Sequence, residues 1–135
     1  MYKQVRQVAV VILISLLLSG FACNRTKVAA ASRDIAASVK AFQVAEIALH
    51  NQGKLSDAEH KNIETYLKGI ATAGLAVDSC VLQTSTVTCV DTGIAAANDL
   101  INQGLVGVKN PDVKQQLTLA AQLIVTGFNT LKGLL

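Results

Sequence analysis

The chain has very few aromatic residues and almost no proline. Among its 135 residues there is no Trp, and there are only two Tyr, three Phe and one Pro. So few aromatic rings argue against a surface on which bases or sugars would stack. A hydrophobic fraction of 51% with 16% charged residues also excludes a disordered chain, a collagen-like chain and a small scaffold built on many disulfides.

A strong excess of one charge is also missing. The formal net charge is +3, from 12 basic and nine acidic residues, and two of the basic residues, Lys3 and Arg6, lie close to the N-terminus. Without these two, the net charge falls to +1. Because no broad basic surface remains to bind phosphates, we expect no nucleic-acid partner.

Residue patterns that are typical of enzymes are scarce. The chain contains two His, and it has no HExxH, CxxC or GxSxG pattern and no glycine-rich phosphate loop. Its Ser residues have no neighbours in sequence that would activate a hydroxyl group, and caps or loops explain them more simply. We therefore predict that the protein is not an enzyme and that it uses no catalytic residue, cofactor or metal.

The first 22 residues have the pattern of an export signal. A short start with Lys3 and Arg6 precedes the apolar run 8–18, which only Ser15 interrupts. This run is shorter than the roughly 20 apolar residues that a transmembrane helix needs. We therefore predict a cleaved signal peptide over residues 1–22 rather than a permanent membrane anchor.

The predicted cleavage site contains the first of three cysteines. The segment reads Leu-Ser-Gly-Phe-Ala-Cys and ends in Ala22 and Cys23. It resembles the lipobox of bacterial lipoproteins, in which a small residue precedes a cysteine that is lipidated and becomes the mature N-terminus. The resemblance covers residues 1–23 and implies lipidation of Cys23, although Gly20 and Phe21 differ from the usual leucine followed by a small residue. Plain signal cleavage after Ala22 is the alternative.

The number of cysteines favours lipidation. An exported protein meets an oxidising compartment, where an odd thiol is reactive. Lipidation of Cys23 leaves Cys80 and Cys89 as a pair, and we predict a disulfide between them. The lipid would hold the domain on the periplasmic or surface side of the bacterial cell envelope, through a short tether of residues 23–27.

Apolar residues after the tether recur at intervals of three and four, which is typical of amphipathic helices. On each predicted helix these residues form one stripe, and polar residues lie off the stripe. The predicted helices span residues 26–51, 57–81, 87–107 and 111–133.

Short connections between these helices favour antiparallel neighbours, so we expect an all-α, up-down four-helix bundle over residues 28–135. The segment 81–88 has several β-branched residues and would also fit a strand, but a lone strand leaves its backbone groups unpaired, and we predict a loop there. The fourth helix has no charge between Lys114 and Lys132, which would fit a membrane span. Its Gln and Asn side chains oppose that interpretation, and we assign the helix to the core.

Local signals mark three helix ends. Gly53 is placed to end the first helix. Ser56 and Glu59 have the spacing of a capping box at the start of the second helix. Asn110 precedes Pro111, which predicts an asparagine N-cap with proline in the first helical position of the fourth helix.

Two Glu–His pairs flank the loop between the first two helices. Glu46 and His50 lie at the end of the first helix, and His60 and Glu64 lie near the start of the second, each pair with a spacing of four. A hairpin would bring His50 near His60 and Glu46 near Glu64, and such a set has the ligand types of a zinc site. Surface pairs that stabilise helix ends explain the same residues, and we favour that interpretation.

Together, these observations predict a small exported, lipid-anchored helical protein with a non-catalytic binding or structural role in the cell envelope. Its expected partners are the membrane, through the anchor, and another envelope protein. Two other functions fit the same sequence. Ala and Gly residues between helices would leave room for a small apolar ligand, as in a carrier, and the weakly charged fourth helix would suit an exported effector or inhibitor that acts on membranes.

Overall fold

The structure, a computed structural model, describes the backbone of residues 2–84 and 87–135 and the side chains of residues 25–77 and 87–135. Within these ranges it contains four α-helices and no strand, which confirms the predicted all-α class. A π-helical turn, Leu100–Gly104, continues the third helix. The helices are α1 (Tyr2–Asn51), α2 (Asp57–Thr84), α3 (Thr88–Asp99) and α4 (Pro111–Gly133).

The four helices form a bundle in which each helix packs against the next one along the chain and α1 also packs against α4. Contacts between helix ends show that neighbouring helices run antiparallel. Asn62, near the start of α2, donates from Nδ2 to the carbonyl oxygen of Gly104 at 3.1 Å, after the end of α3. Gly127, near the end of α4, lies against Ile35, well before the end of α1 at Asn51.

Helix α1 starts earlier than the sequence predicts, because it is helical from Tyr2 through the predicted signal peptide and tether. The side chains of residues 1–24 and 78–86, and with them Cys23 and Cys80, lie outside the described residues. The signal peptide, the lipidation and the disulfide therefore stay predictions. Of the helices in the described part of the chain, none has the combined length and hydropathy that crossing a membrane requires.

Large apolar side chains from all four helices fill the centre of the bundle. The sequence places Ile101, Ala120 and Leu135 on the inward stripes, but Ile101 and Ala120 are only half-buried and Leu135 is exposed. Leu100 and Ala121 are buried instead. The largest fully buried apolar side chains are Phe42, Phe128, Ile63, Ile70, Leu100, Leu105, Leu117, Ile124 and Leu131.

The shift from Ile101 to Leu100 has its cause in the π-helical turn. The Leu105 N–H donates to the Leu100 carbonyl oxygen at 2.9 Å, five residues back. A turn of this kind holds one residue more than an α-helical turn, so two residues five apart lie on the same face. Leu100 and Leu105 are both fully buried as a result, which a uniform period of 3.6 does not predict.

Glycines allow close packing at some of the helix contacts. A Cβ atom added at Gly93 would overlap the ring of Phe128, so this ring lies directly on the backbone of α3. Small residues between the predicted helices, such as Gly74 and Gly104, predict close helix contacts. At Gly104 an added Cβ would lie 3.0 Å from both Leu100 and Tyr66, which confirms the close contact there. The same prediction is wrong for Gly74, where a Cβ would meet nothing within 4 Å.

Candidate functional site: an apolar groove between α1 and α2

The loop that joins α1 to α2 is formed by the predicted caps. Gly53 has a φ of 70°, and the N–H groups of Gly53 and Lys54 donate to the carbonyl oxygens of His50 and Leu49, each at 2.9 Å. This is the Schellman arrangement that ends many helices. The capping box is confirmed as well, because the Ser56 N–H donates to Glu59 Oε2 at 2.7 Å and the Glu59 N–H donates to Ser56 Oγ at 3.3 Å.

The Glu59 carboxylate also joins this loop to the loop before α4. Its Oε1 accepts a hydrogen bond from the Lys109 N–H at 2.8 Å. The backbone N–H groups of Ser56 and Lys109 hold the pKa of Glu59 below its ordinary value. Next to Lys109, the Asn110 side chain accepts from the N–H groups of Asp112 and Val113 at 3.1 and 3.3 Å, which confirms the predicted N-cap.

The two Glu–His pairs meet beside this loop, but not in the predicted arrangement. His60 forms a hydrogen bond through Nδ1 with Glu46 Oε1, and its Nε2 lies 3.7 Å from Glu64 Oε1. The rings of His50 and His60 are stacked, with centroids 4.2 Å apart and an angle of 9° between their planes. The structure thus brings the two imidazoles together as predicted, whereas Glu46 contacts His60 rather than Glu64.

The interpretation of these residues as surface pairs is wrong for Glu46, whose exposed fraction is 0%. Among the described residues its second carboxylate oxygen, Oε2, has no hydrogen-bond partner. The hydrogen bond with Glu46 raises the pKa of His60 above its ordinary value, because it favours the charged imidazolium. The buried carboxylate thus favours the protonated form of His60 beside it.

The arrangement does not resemble a metal centre. His50 uses Nδ1 on the Leu55 carbonyl oxygen, at 3.2 Å, and its Nε2 lies 3.5 Å from Asp57 Oδ1. The ring nitrogens therefore have separate partners and do not converge on one point. In the part of the chain with described side chains, no group of three or more His, Cys, Asp or Glu is arranged to hold a metal ion.

Farther along the same pair of helices, an apolar groove of about 460 Å³ lies between α1 and α2. Small residues on both helices, Ala36 on α1 with Ala71 and Gly74 on α2, leave this space open. The ring of Phe128 from α4 reaches the groove between them. The remaining lining residues are Ser32, Ile35, Val39, Lys40, Gln43, Ile70, Leu75 and Val77.

A smaller cavity of about 110 Å³ continues the groove towards the loop. It shares Val39, Gln43 and Ala71 with the groove and adds Glu64, Leu67 and Lys68. The lining thus changes along its length. Apolar side chains line the half near Val77, and charged and amide groups lie at the edges of the half near Glu64.

The sequence did not locate this groove. It predicted that Ala and Gly between helices would leave room for an apolar ligand, but not which helices would separate. The signal that was available is the occurrence of small residues on facing positions, Ala36 on α1 and Gly74 on α2. Of the predicted site residues, Cys89 is half-buried in the first turn of α3, while Cys23 and Cys80 lie outside the described side chains.

Compared with protein-family models, with curated proteins and with solved structures, the chain has no significant match. The sequence signals and the geometry of the bundle are therefore the observations that bear on its function.

Proposed function

We propose that the protein is an exported, lipid-anchored and non-catalytic binding protein of the bacterial cell envelope, and that the groove between α1 and α2 is its site for an apolar ligand. The observation that carries this proposal is the groove itself. Its volume of about 460 Å³ lies within the range of about 300–1,000 Å³ that is usual for ligand sites. Its lining is mostly apolar with a few polar groups, as such sites are.

The chemistry of the titratable groups supports a role without catalysis. Glu46 is inaccessible to solvent and bonded to His60, while His60 is stacked on His50. A general acid or base has to come within hydrogen-bond reach of its substrate, and the buried Glu46 is unsuited to that. These residues stabilise the α1–α2 hairpin instead.

The predicted anchor would place the groove close to the membrane. Ser32, at one end of the groove, follows Cys23 by nine residues on the same helix. At a rise of about 1.5 Å per residue, the lipidated residue would lie about 13 Å from the groove along the helix axis. A ligand that comes from the membrane would therefore have only a short distance to travel.

The predicted Cys80–Cys89 disulfide belongs to the same proposal. Cys80 lies on α2 near its end, and Cys89 lies in the first turn of α3. The bond would close a loop of about ten residues and stabilise the fold by roughly 2.5–3 kcal/mol in the chain-entropy model. Titration of thiols in protein isolated without reductant should find neither cysteine free, and two free thiols would exclude the bond.

The ligand-binding proposal is tested by native mass spectrometry of the full chain purified from membranes. We expect a retained small molecule, and we expect Gly74→Leu, which places a side chain in the groove, to remove it. Gly69→Leu is the matched control, because Gly69 is on the same helix, has equally open surroundings and does not line the groove. If no molecule is retained, or if both variants keep it, the groove is not a ligand site.

The anchor is tested separately by Cys23→Ala. We expect this variant to lose its membrane association, and we expect the intact mass of the unchanged protein to show acylation at the mature N-terminus. Unchanged association of Cys23→Ala with membranes would mean that an uncleaved apolar segment holds the protein there.

A protein partner in the envelope is the second candidate, and one observation favours it. Leu119 and Leu123 lie one turn apart on α4 and are 57% and 63% exposed. Exposed apolar side chains of this size are typical of contact surfaces when they cluster. Crosslinking in intact cells should capture a partner that Leu123→Asp releases and Gly74→Leu does not.

A further inference from the structure

We infer that the groove takes the acyl chain of a single-chain amphiphile with an anionic headgroup, and that Lys40 and Lys68 bind the headgroup. This inference rests on the proposed function of the groove as an apolar ligand site. It adds the chemical class of the ligand and its direction in the site.

The shape of the groove favours a chain over a compact molecule. On α1 its lining extends from Ser32 to Gln43, which corresponds to roughly 16 Å along the helix. The smaller cavity extends the same opening towards Glu64. An elongated apolar channel that is open along one side matches an extended hydrocarbon chain.

Two cationic side chains lie in the half of this channel near Glu64. Lys40 lines the groove and Lys68 lines the smaller cavity, and Gln43 lines both. Among the ion pairs of the described residues, none involves Lys40 or Lys68. The carboxylate in the same lining, Glu64, lies 3.7 Å from His60 Nε2, so its charge is partly balanced by a group outside the channel when His60 is protonated. An anionic headgroup therefore has two unpaired cations available to it.

The opposite half of the channel has no charged lining residue among those described. Ile35, Ile70, Val77 and Phe128 line it, and Leu75 is 77% exposed beside it. This half is the one nearer to Cys23, and hence to the membrane if Cys23 is lipidated. An amphiphile lifted from the membrane along its own long axis enters with its headgroup first and keeps its tail on the membrane side. The apolar half lies nearer to the predicted anchor and the two lysines lie farther from it, which is the arrangement that this direction of entry requires.

The experiment uses the full chain in nanodiscs of phosphatidylcholine and two photoactivatable probes. One probe is hexadecanoic acid that carries a diazirine on its chain, and the other is the matching hexadecanol. Irradiation at about pH 8.5 ionises the acid and leaves the alcohol uncharged. Adducts are then located by peptide mapping.

We expect adducts on residues of the groove, with about three-fold more from the acid than from the alcohol, as is usual for partly exposed charge pairs. Lys40→Gln combined with Lys68→Gln should bring the two yields to the same level, while Lys61→Gln, an exposed lysine of α2 outside the channel, should leave the preference unchanged. Gly74→Leu should remove the groove adducts of both probes, and Gly69→Leu should retain them.

The inference and the proposed function fail in different ways. Equal labelling by acid and alcohol that Gly74→Leu abolishes would overturn the headgroup assignment and leave the apolar site in place. The same conclusion follows if the preference for the acid survives in the double lysine variant. Groove labelling by neither probe, or labelling that Gly74→Leu does not change, would overturn both.

Discussion

The two ends of the bundle are held together by different means. At the network end, which comprises residues 46–66 and 99–113, side chains form hydrogen bonds between several neighbouring segments. The Glu46–His60 bond joins α1 to α2, Glu59 joins the two loops, and Asn62 bonds the turn after α3. At the groove end, which comprises the remaining described residues of the bundle, packing of Phe128 on Gly93 closes one side while α1 and α2 separate on the other.

This difference shows how one pair of helices is closed at one end and open at the other. The imidazoles of His50 and His60 fill the space between α1 and α2 at the network end. Alanine and glycine leave space between the same two helices at the groove end. Hydrogen bonds of side chains thus stabilise the network end, which has no proposed ligand. The proposed ligand site lies at the groove end, where α1 and α2 are held together least.

The largest effect on stability is expected from a substitution that disrupts the packing at the groove end. Phe128→Ala removes a fully buried ring that both lines the groove and packs on Gly93. We expect the free energy of unfolding to fall by about 3–5 kcal/mol, measured by urea unfolding of the full chain with circular dichroism. Leu119→Ala, on the exposed face of the same helix, should change it by less than about 0.5 kcal/mol. A loss below about 1 kcal/mol for Phe128→Ala would show that the groove collapses to fill the space.

The next largest effect is expected at the network end. Glu46→Ala removes a buried carboxylate and leaves His60 without its partner, and we expect a loss of about 3 kcal/mol in the same unfolding assay. Glu64→Ala is the control, because this half-buried carboxylate is 42% exposed and should contribute less than about 1 kcal/mol.

A second variant separates the charge of Glu46 from its volume. Replacing both partners, as Glu46→Leu with His60→Leu, should recover most of the loss, because two apolar side chains then occupy the same site without an unpaired charge. If the double variant is as unstable as Glu46→Ala, packing rather than the pair explains the cost of the single substitution.

The pair should also make stability depend on pH. The pKa of His60 is raised in the folded protein, so its contribution is fully present below the unfolded value of about 6.5 and is lost as the pH rises through the raised value. We therefore expect the unfolding free energy to decrease between about pH 6 and pH 9. The dependence should largely disappear in His60→Gln and in Glu46→Gln. A wild-type protein equally stable at both pH values would contradict the pairing.

The smallest effect is expected from the ion pair between Lys132 and Asp91, which lies at the groove end. The distance from Nζ to Oδ1 is 2.7 Å, but the two side chains are 45% and 50% exposed. We expect Lys132→Ala to cost about 0.2–1 kcal/mol, and less at high salt. A double-mutant cycle with Asp91→Ala measures the coupling energy between the two side chains. A coupling energy well above about 1 kcal/mol would mean that polar contacts stabilise the groove end as strongly as the network end.

The features that the sequence predicted are mainly local ones. The capping box at Ser56 and Glu59, the turn at Gly53 and the cap at Asn110 each depend on residues within a few positions of one another. The nearness of His50 and His60 also follows from a short hairpin. The burial of Glu46 does not, because it depends on how far α2 covers α1, and that is decided by side chains that are distant in sequence.

The groove was harder to predict for the same reason. Gly74 looked like a residue of close contact, as Gly104 is, because a glycine on a helix face permits both contact and space. Which of the two occurs depends on the side chain opposite, and Ala36 leaves the gap near Gly74 that Tyr66 fills near Gly104. Helix periodicity alone contains no information about such pairs.

The π-helical turn at Leu100–Gly104 has a consequence for changes in chain length. Because it holds one residue more than an α-helical turn, removing one residue inside it would leave a regular helical turn after α3, with Leu105 still facing the core. A deletion at residue 95, within regular α3, would instead rotate everything after it by about 100° and turn Leu105 away from the core. We therefore expect the loss of one residue to be tolerated in this turn and not in α3 before it.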